Sequence, residues 1–455
     1  MKLSIIILAA GLGKRMNSDL PKVLHCLADK PLLQHVIDTA LTLEPETIQV
    51  VYGHGGEQVR NTLADLPVQW VKQEQQLGTG HAVAQAMPNI ANDNMVLVLY
   101  GDVPLIKTTT LQTLDSKGLN ILTAKLNNPT GYGRIVRDNK NQVTSIIEEK
   151  DASSEIKSIQ EIKSIQEINT GILATQAINL RNWLTKLDNN NSQGEYYLTD
   201  IVAMAVAEDQ PIYTNTVNDI YEVMGVNNRL QLADLERYYQ LQQANNLMLS
   251  GVTIQDPNRL DIRGTIQVGH DINIDINVIL AGEVSLGNRV KIGSNTVIRN
   301  AKIADDVEIL SNCVIEDVVI GAGCKIGPFA RLRPETKLDE QVRIGNFVEI
   351  KKSTVANGSK INHLSYIGDS EIGKNVNIGA GTITCNYDGA NKYKTIIKDG
   401  VFIGSDTQLV APITIETGAT IGAGSTITKD VAANSLTLSR TGQQSLIGWK
   451  RPKKK

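Results

Sequence analysis

The amino-acid sequence predicts two different folds in one chain of 455 residues. An α/β layer fold is expected over about the first 225 residues, because short apolar runs alternate there with helical stretches. A triangular β-solenoid is expected over about the last 190 residues, because aliphatic side chains recur there at every sixth position. A six-residue step suits a coil that has one hexapeptide on each of three sides.

The first half contains apolar runs short enough to be buried strands and longer stretches with helical periodicity. We predict strands at Ser4–Leu8, Ile48–Tyr52 and Met95–Tyr100, and helices at Leu32–Leu41, His81–Ala86 and Leu198–Val206. This alternation predicts a mostly parallel sheet with helices packed on its faces. Between the halves, Asn227–Ser250 has helical periodicity and no Gly or Pro, which predicts a linker helix of about 20 residues.

The second half is unusually rich in aliphatic β-branched residues, with 28 Ile and 17 Val between Gly251 and Arg440. The longest six-residue series is Ile320, Ile326, Leu332, Leu338, Ile344, Ile350. We expect these side chains to point to the axis of about ten coils of about 18 residues each. Two stretches break the step, Ser353–Leu364 and Cys385–Asp399, and we expect both to form loops on a binding face.

Composition excludes several classes of protein. The 45 basic and 48 acidic residues nearly cancel, which argues against a nucleic-acid-binding protein. No apolar run approaches the ~18 residues of a membrane span, and the apolar start fits a buried strand better than a signal peptide, so we expect a cytoplasmic protein without a membrane partner. The four Cys are far apart, which suggests neither a disulfide framework nor a cysteine zinc site.

The first predicted strand runs into a glycine-rich turn that contains Gly11 and Gly13, followed by Arg15 and Lys22. Glycines let backbone N–H groups approach phosphate oxygens, and the two cations add positive charge, so this turn is a candidate phosphate site. An ordinary strand–helix turn has the same glycine pattern and remains an alternative.

Asp102 follows the predicted strand Met95–Tyr100, and the carboxyl ends of parallel strands form the edge where open α/β sheets bind ligands. One carboxylate at this edge can hold Mg²⁺ together with water and substrate phosphates. A helix-capping Asp is the competing interpretation. A further glycine-rich turn at Gly78-Thr79-Gly80, near Gln73, is a weaker candidate.

In the solenoid, His363 lies in the first break and a group of cations lies near it: Arg331, Arg333, Lys351 and Lys352. A base beside an anion pocket suits an amine substrate that carries phosphate. A structural role remains an alternative for His363, and a solvated basic face remains one for the cations. For the basic residues after Arg440, a solvated, frayed terminus is favoured over a contact with nucleic acid or membrane. A zinc site with three His ligands is disfavoured, because this half contains only His270 and His363.

These motifs resemble those of known enzymes. The segments that resemble sugar nucleotidyltransferases are Leu8-Ala9-Ala10-Gly11, Pro21-Lys22, Gly78-Thr79-Gly80 and Tyr100-Gly101-Asp102. Further motifs are Asn169-Thr170-Gly171, Glu195-Tyr196-Tyr197-Leu198-Thr199-Asp200 and Gly225-Val226-Asn227-Asn228-Arg229. Joined to the solenoid, they make nearly the whole chain similar to the family of bifunctional N-acetylglucosamine-1-phosphate uridyltransferases / glucosamine-1-phosphate acetyltransferases.

The resemblance implies an architecture and a pair of reactions. A Rossmann-like nucleotidyltransferase domain would span residues 1–227, a linker helix 228–250, a left-handed parallel β-helix acetyltransferase domain 251–440, and a basic tail 441–455. Glucosamine-1-phosphate would be N-acetylated by acetyl-CoA, and N-acetylglucosamine-1-phosphate would then receive the uridylyl group of UTP with Mg²⁺. The family also implies a homotrimer. Two alternatives stay open: a single-function nucleotidyltransferase whose β-helix is only a trimerisation scaffold, and a related enzyme for another nucleotide or sugar.

The resemblance also implies roles in the first half. The uridine nucleotide would be bound by Leu8, Ala9, Ala10, Gly11, Lys22, Gln73, Gly78, Thr79, Tyr100, Gly101 and Asp102. The amino sugar would be held by Gly133, Glu148 and Asn169, and Mg²⁺ by Asp102 and Asn227. Arg15 and Lys22 would stabilise charge on the triphosphate, with no protein nucleophile required.

In the second half, the resemblance makes His363 the general base that deprotonates the attacking amine. The acceptor would be bound by Arg333, Lys351, Tyr366, Asn377, Asn386 and Tyr387, and acetyl-CoA by Ala380, Ser405, Ala423 and Arg440. Glu349 is a candidate to orient His363.

The sequence departs from the family pattern in two places. Lys14 stands where the family usually has Thr, which adds a positive charge beside the expected phosphates. Residues 155–160 and 161–166 are a tandem copy of Glu-Ile-Lys-Ser-Ile-Gln near the expected sugar site, which we interpret as a longer surface loop.

Overall fold

A computed structural model describes residues 2–11, 13–53, 55–115, 117–149, 151 and 165–452. The chain divides into two compact units, Met1–Tyr239 and Gln240–Lys455, which are described one at a time. The division falls inside the predicted linker helix, so the helix contributes to both units. The tandem copy of residues 155–166 lies almost entirely outside the described residues.

The first unit is built from strands and helices in alternation, as the sequence predicts. Its strands are β1 (Leu3–Ala9), β2 (Cys26–Leu27), β3 (Lys30–Pro31), β4 (Thr47–Tyr52), β5 (Gln69–Lys72), β6 (Met95–Tyr100), β7 (Leu119–Lys125), β8 (Arg134–Arg137), β9 (Val143–Ile147), β10 (Glu167–Gln176) and β11 (Ile212–Thr216). Its helices are α1 (Leu32–Leu41), α2 (Glu57–Thr62), α3 (Thr79–Ala86), α4 (Thr108–Leu111), α5 (Ala177–Leu184) and α6 (Ile201–Ala207), and α7 (Arg229–Leu249) follows. Short 3-10 turns occupy Lys14–Met16, Lys22–Leu24, Met87–Asn89, Leu198–Asp200 and Ile220–Val223.

The central sheet has the order β11-β7-β10-β6-β1-β4-β5. Strand β1 lies parallel to β4 and β6, and its side chains alternate between two hydrophobic clusters, with Ile5 and Ile7 in one and Ile6 and Leu8 in the other. Strand β10 is antiparallel to both β6 and β7, so the sheet is more mixed than predicted. Parallel β1, β4 and β6 all end at the same edge, which is the edge that carries the predicted site.

Helix α7 forms as predicted, and its two halves are buried in different cores. Leu235 belongs to a small cluster of the first unit, whereas Ala244 belongs to the core of the second. Within the second unit, the buried amide of Gln240 accepts from the Ile262 N–H (2.7 Å) and donates to the Ile262 carbonyl (2.9 Å). One side chain thereby satisfies backbone groups at the free edge of the first coil. The functional bounds of the predicted domains stay a prediction.

The second unit consists of short strands stacked in parallel. In chain order they are β12 (Thr253–Ile254), β13 (Leu260–Val268), β14 (Asn273–Ile274), β15 (Val278–Leu286), β16 (Lys291–Ile292), β17 (Val297–Ile303), β18 (Glu308–Ile309), β19 (Val314–Ile320), β20 (Lys325–Ile326), β21 (Arg331–Leu332), β22 (Thr336–Leu338), β23 (Arg343–Asn346), β24 (Glu349–Lys351), β25 (Thr354–Val355), β26 (Lys360–His363), β27 (Tyr366–Gly368), β28 (Ser370–Ile372), β29 (Asn377–Ile378), β30 (Ile383–Cys385), β31 (Thr395–Ile397), β32 (Phe402–Ile403), β33 (Gln408–Val410), β34 (Ile413–Ile415), β35 (Thr420–Ile421), β36 (Thr426–Ile427) and β37 (Leu436–Thr437).

One side of every coil belongs to an 11-stranded parallel sheet that begins at β12 and ends at β37. The other two sides start as the single long strands β13, β15, β17 and β19, and then divide into pairs of short strands, since both β21 and β22 pair with β19. Inward aliphatic residues stack in register, as in Ile292, Ile309 and Ile326, which are almost fully buried. These sheets and repeats confirm the predicted fold class and are consistent with a left-handed parallel β-helix.

The two predicted breaks have different outcomes. The prediction of a loop at Ser353–Leu364 is wrong, because β25 and β26 lie there in register with their neighbours. The coil between Asn346 and His363 has 17 residues rather than 18. The six-residue repeat is therefore displaced by one position although no residues are inserted. The second break is a real excursion, because it contains a separate bridge between Tyr387 and Lys392 and because Ile378 pairs next with Ile403.

Within the described part of the chain, no helix combines the length and the apolar character that crossing a membrane requires.

Candidate functional site

The first unit has a pocket of about 390 Å³ at the carboxyl edge of its sheet. Most of the residues that the sequence associates with a nucleotide line it: Leu8, Ala9, Ala10, Gly11, Lys22, Gln73, Gly78, Thr79, Tyr100 and Asp102. The ends of β1 and β6 bring the first and last of these together, because Gly101 donates its N–H to the Leu8 carbonyl (2.9 Å). Four further lining residues were missed from the sequence: Val23, Gln76, Ala82 and Glu195.

The loop after β1 is shaped by a glycine with a left-handed backbone. Gly13 has φ of 60°, and a Cβ placed there would lie 2.7 Å from the Lys22 Cβ. Only glycine allows the two segments to approach so closely. The loop is also tied to the other wall of the pocket, because the Gln76 amide donates to the Ala10 carbonyl. The arrangement holds Lys22 at the pocket with a side chain that is only 12% exposed.

Three predicted side chains converge at the pocket. Lys22 Nζ pairs with Asp102 Oδ2 and lies 3.3 Å from Asn227 Oδ1. Asn227 is placed there because the Val226 N–H donates to the Asp102 carbonyl (2.9 Å). One carboxylate oxygen and one amide oxygen on the same cation are hard donors that suit Mg²⁺, which takes its other ligands from water and phosphate. The residues present therefore fit the predicted metal.

A second set of charged groups anchors the segment that leads to Asn227. Lys107 Nζ lies 3.0 Å from Glu222 Oε1 and 3.3 Å from Asp219 Oδ2. Tyr238 of α7 donates to the same Asp219 oxygen, and its ring stacks on Tyr221 with the centroids 3.9 Å apart. These contacts anchor the 3-10 turn Ile220–Val223, which leads to Asn227.

The glycine-rich turn before α3 forms the pocket wall opposite β1. Gly78 has φ of 112°, and a Cβ placed there would lie 2.6 Å from the Tyr196 carbonyl oxygen. Thr79 accepts the Leu198 N–H (3.1 Å), and Gly80 donates to the Tyr196 carbonyl (2.8 Å). The motif that starts at Glu195 therefore packs directly on this turn, which explains why Glu195 reaches the pocket.

The residues predicted to hold an amino sugar also meet. The Asn169 N–H donates to the Gly133 carbonyl (2.9 Å), and a Cβ on Gly133 would lie 3.3 Å from the Glu148 carboxylate oxygens. Tyr100 connects this group with the pocket: burial raises the pKa of its phenol, and the charges of Glu148 and Asp102 add to the effect. Arg15 differs from the other predicted residues, because it lies on the exposed turn Lys14–Met16 rather than in the pocket wall.

In the second unit, His363 ends β26 and is exposed. Its Nδ1 lies 2.9 Å from Asn346 Oδ1, which occupies the equivalent position on the preceding coil. An amide oxygen there accepts the Nδ1 proton, which leaves Nε2 of a neutral ring free to take a proton. The hydrogen-bond partner of His363 is thus Asn346, which the sequence analysis missed, whereas Glu349 pairs with Arg333 (2.7 Å).

Cations gather on the outer surface of the neighbouring coils. Leu332 pairs with Ile350, so Arg333 and Lys351 follow them at the same position of successive coils. Lys392, from the excursion, lies next to Lys351 and lowers the pKa of that ammonium, and the charge of Arg333 adds to this. Cations this close to one another favour binding of an anion such as phosphate.

The other predicted acceptor residues lie around the same coils. A Cβ on Gly368 would lie 2.5 Å from Tyr366 Oη and 2.8 Å from Asn386 Nδ2, so these two groups meet over a glycine. Asn386 is buried and donates to Asp369 Oδ2 (2.5 Å). Tyr387 is exposed at the excursion, and Asn377 lies in β29, in register with Lys360.

The residues predicted to bind acetyl-CoA form a column. Ile378, Ile403 and Ile421 are paired in register, which places Ala380, Ser405 and Ala423 at the same position of successive coils. The Asp406 N–H donates to the Ala380 carbonyl (2.7 Å), and the Gly424 N–H donates to the Ser405 carbonyl (2.8 Å). Arg440 joins the column by donating to the Ala423 carbonyl (2.8 Å).

Comparisons with known proteins give three partial family matches. Residues 5–120 match the MobA-like NTP transferase domain, residues 262–342 match the GMPPB C-terminal domain, and residues 394–429 match six repeats of the bacterial transferase hexapeptide. A solved nucleotidyl transferase from Methanothermobacter thermautotroptrophicus is similar at 18% identity and a TM-score of 0.38, over 52% of this chain and 97% of that one. The two family models of known chemistry thus make one part of the chain similar to a nucleotidyltransferase domain and another similar to transferase-type hexapeptide repeats.

Proposed function

We propose that the protein is a bifunctional transferase that makes UDP-N-acetylglucosamine. The C-terminal unit acetylates glucosamine-1-phosphate with acetyl-CoA, and the N-terminal unit then transfers the uridylyl group of UTP to N-acetylglucosamine-1-phosphate. The observation that carries this proposal is that each unit builds its own polar site with cations suited to phosphate: Lys22 in the pocket and the Arg333, Lys351 and Lys392 group on the solenoid.

Uridylyl transfer joins two anions, so positioning and charge neutralisation are the main tasks of the site. The sugar phosphate oxygen attacks the α-phosphorus of UTP, the bond to the β-phosphate oxygen breaks, and pyrophosphate leaves. Lys22 neutralises phosphate charge from the pocket, and the exposed Arg15 approaches from the adjoining turn. Gly133, Glu148 and Asn169 orient the sugar, so that its phosphate meets the nucleotide.

Asp102 and Asn227 are the residues that would hold Mg²⁺. The ion would supply positive charge to the phosphates when bound. The structure has the Lys22 ammonium on the same two oxygens, so Lys22 must turn toward the phosphates for both cations to act.

Acetyl transfer requires deprotonation of an amine as it attacks a thioester. Asn346 orients His363 so that Nε2 accepts the amine proton, the new amide bond forms, and the carbon–sulfur bond breaks. The leaving thiolate then takes the proton from the imidazolium and departs as coenzyme A thiol. The Arg333, Lys351 and Lys392 group holds the acceptor phosphate, and the column from Ala380 to Arg440 binds the coenzyme. Such exposed sites fit a proposed homotrimer in which neighbouring subunits cover them.

Two matched variants of the full chain test the proposal. We expect Asp102→Asn to abolish pyrophosphate release from UTP and N-acetylglucosamine-1-phosphate, with thiol release from acetyl-CoA nearly unchanged. His363→Ala should do the reverse. Loss of both activities in either folded variant would refute the two-site proposal.

The wild-type protein also decides between the alternatives. No thiol release with glucosamine-1-phosphate would make the β-helix a scaffold rather than an acetyltransferase. Faster turnover of another nucleoside triphosphate or sugar phosphate would identify a different member of the same enzyme class.

A further inference from the structure

The side chain of Gln73 is buried in the pocket wall with only one end of its amide free. Its Nε2 lies 3.2 Å from the Gly78 carbonyl oxygen and 2.9 Å from His81 Nδ1, and 2% of the residue is exposed. A backbone carbonyl only accepts hydrogen bonds, so the NH₂ end must be the end that faces Gly78. Among the described residues, no hydrogen bond reaches Gln73 Oε1.

The donors and acceptors around His81 also indicate which ring nitrogen carries the proton. Because the second amide hydrogen of Gln73 points to His81 Nδ1, that nitrogen must be the acceptor, and a neutral ring then carries its proton on Nε2. The side-chain amide of Gln85 lies at Nε2, with 3.3 Å between the two nitrogens, and its oxygen can take this place by exchange of the amide ends. Tyr196 packs on the imidazole with the ring centroids 6.4 Å apart.

We propose that His81 is a positioning residue for base specificity: it holds the Gln73 amide so that the carbonyl oxygen faces the ligand in the pocket. This inference rests on the proposed uridine nucleotide site. His81 itself does not line the pocket and acts only through Gln73. With both amide hydrogens engaged, Gln73 presents a hydrogen-bond acceptor and no donor.

The Gln73 carbonyl oxygen should therefore select the nucleotide by the donors and acceptors at the edge of its base. Uracil carries an N–H at ring position 3, which can donate to Gln73 Oε1. Cytosine carries an unprotonated nitrogen at that position, so two acceptors would face each other and one would stay unsatisfied in a buried site. A site that leaves a buried polar group unpaired discriminates against that ligand much more strongly than a difference in apolar contact does.

The test compares UTP with CTP as competitors for a fluorescent uridine nucleotide bound to the full-length protein. We expect the wild type to prefer UTP. In His81→Leu the second anchor is gone, the amide can turn over, and the UTP/CTP affinity ratio should fall about 3–10-fold, the range for one hydrogen bond. His81→Asn should keep the ratio near the wild-type value, because the Asn oxygen can replace Nδ1 as acceptor.

A graded control and a reversed variant complete the experiment. Gln85→Leu touches the ring but not Gln73, so its effect should be smaller than that of His81→Leu. His81→Lys puts a donor where Nδ1 accepts, and it should lower the ratio further by drawing the Gln73 oxygen away from the pocket. It also serves in place of His81→Leu should that variant not fold.

The outcomes separate this inference from the proposed function. A wild type that binds neither nucleotide contradicts the proposed function itself. A wild type that prefers UTP, with equal ratios in His81→Leu and His81→Lys, overturns the role of His81 alone. Equal losses of UTP and CTP affinity in these variants would assign His81 a purely structural role and would also overturn the inference. In turnover, the change should appear in the KM for the nucleotide and leave kcat with UTP nearly constant.

Discussion

The two candidate sites are built in opposite ways. In the first unit, a pocket is enclosed by segments far apart in sequence, and its cation is already paired, Lys22 with Asp102. In the second unit, the residues lie on exposed faces of stacked coils, and cations of the Arg333, Lys351 and Lys392 group face one another. In the first unit, a site forms because segments far apart in the sequence meet at one edge of the sheet. In the solenoid, a site forms because equivalent positions of successive coils lie next to one another.

Removal of the cation from the pocket should have a larger effect than removal of a cation from the solenoid. We expect Lys22→Met to lower kcat/KM for uridylyl transfer by about 10²–10³-fold, because it removes a largely buried cation that would stabilise phosphate charge. Pyrophosphate release measures this, and thiol release from acetyl-CoA serves as the internal control. A loss below tenfold would mean that the pocket does not depend on the convergence of Lys22, Asp102 and Asn227.

Removal of one cation from the solenoid should be milder, because two remain. Lys392→Gln should raise the KM for glucosamine-1-phosphate by about 10–100-fold with little change in kcat, since hydrogen bonds to charged groups contribute about 1.5–3 kcal/mol. Uridylyl transfer should not change. An unaltered KM would exclude the excursion from phosphate binding.

The same cation group predicts a dependence on pH. Lys392 and Arg333 lower the pKa of Lys351, so Lys351 loses its charge at a lower pH than an ordinary lysine does. Phosphate affinity should therefore fall as pH rises through that pKa, and the fall should move to higher pH in Lys392→Gln. The KM for the acceptor measured from about pH 7 to about pH 10 reports this, and coincident profiles would contradict it.

Loss of the partner of His363 should have a smaller effect than loss of the base. Asn346→Ala leaves the imidazole in place without its orienting bond, so we expect kcat of acetyl transfer to fall about 10-fold, against about 10²–10⁴-fold for His363→Ala. Glu349→Gln is the control, because Glu349 pairs with Arg333 instead. Equal rates for Asn346→Ala and the wild type would remove Asn346 from the site.

Substitution of two glycines with positive φ, one in each unit, should have different effects on the free energy of unfolding. Gly78 is in contact with Tyr196 backbone atoms, so Gly78→Ala should destabilise the fold by about 1–3 kcal/mol. Gly424 has open space around it at a solenoid corner, where Asn occurs at similar φ on other coils, so Gly424→Asn should cost less than about 0.5 kcal/mol. Chemical denaturation of both variants measures the contrast, and equal losses would contradict it.

The two units also differ in how much of their structure the sequence predicts. The solenoid is predictable because one hexapeptide rule fixes which residues point inward, and a residue on the next coil lies about 18 positions away. Asn346 was missed because its contact with His363 joins two coils, 17 positions apart, and the repeat does not indicate which outward side chains meet. Lys392 was missed because it lies in an excursion without a period.

In the first unit, the rule that ligands bind at strand ends predicts Asp102 but not its neighbours. Asn227 is 125 positions away in the chain, and only the resemblance brought it to Asp102. Gln76 was missed because Glu74-Gln75-Gln76 has the composition of a solvated turn. The antiparallel direction of β10 was missed because the sequence of a single strand does not indicate whether it pairs parallel or antiparallel with its neighbours.

The amide of Gln240 has a practical consequence for anyone who shortens this chain. A fragment that starts at Gly251 lacks that side chain and exposes the Ile262 backbone on an open strand, which invites the ends of two truncated molecules to pair. A fragment that starts before Gln240 keeps the stack closed, so aggregation in the shorter piece would reflect where it was cut rather than a defect of the solenoid.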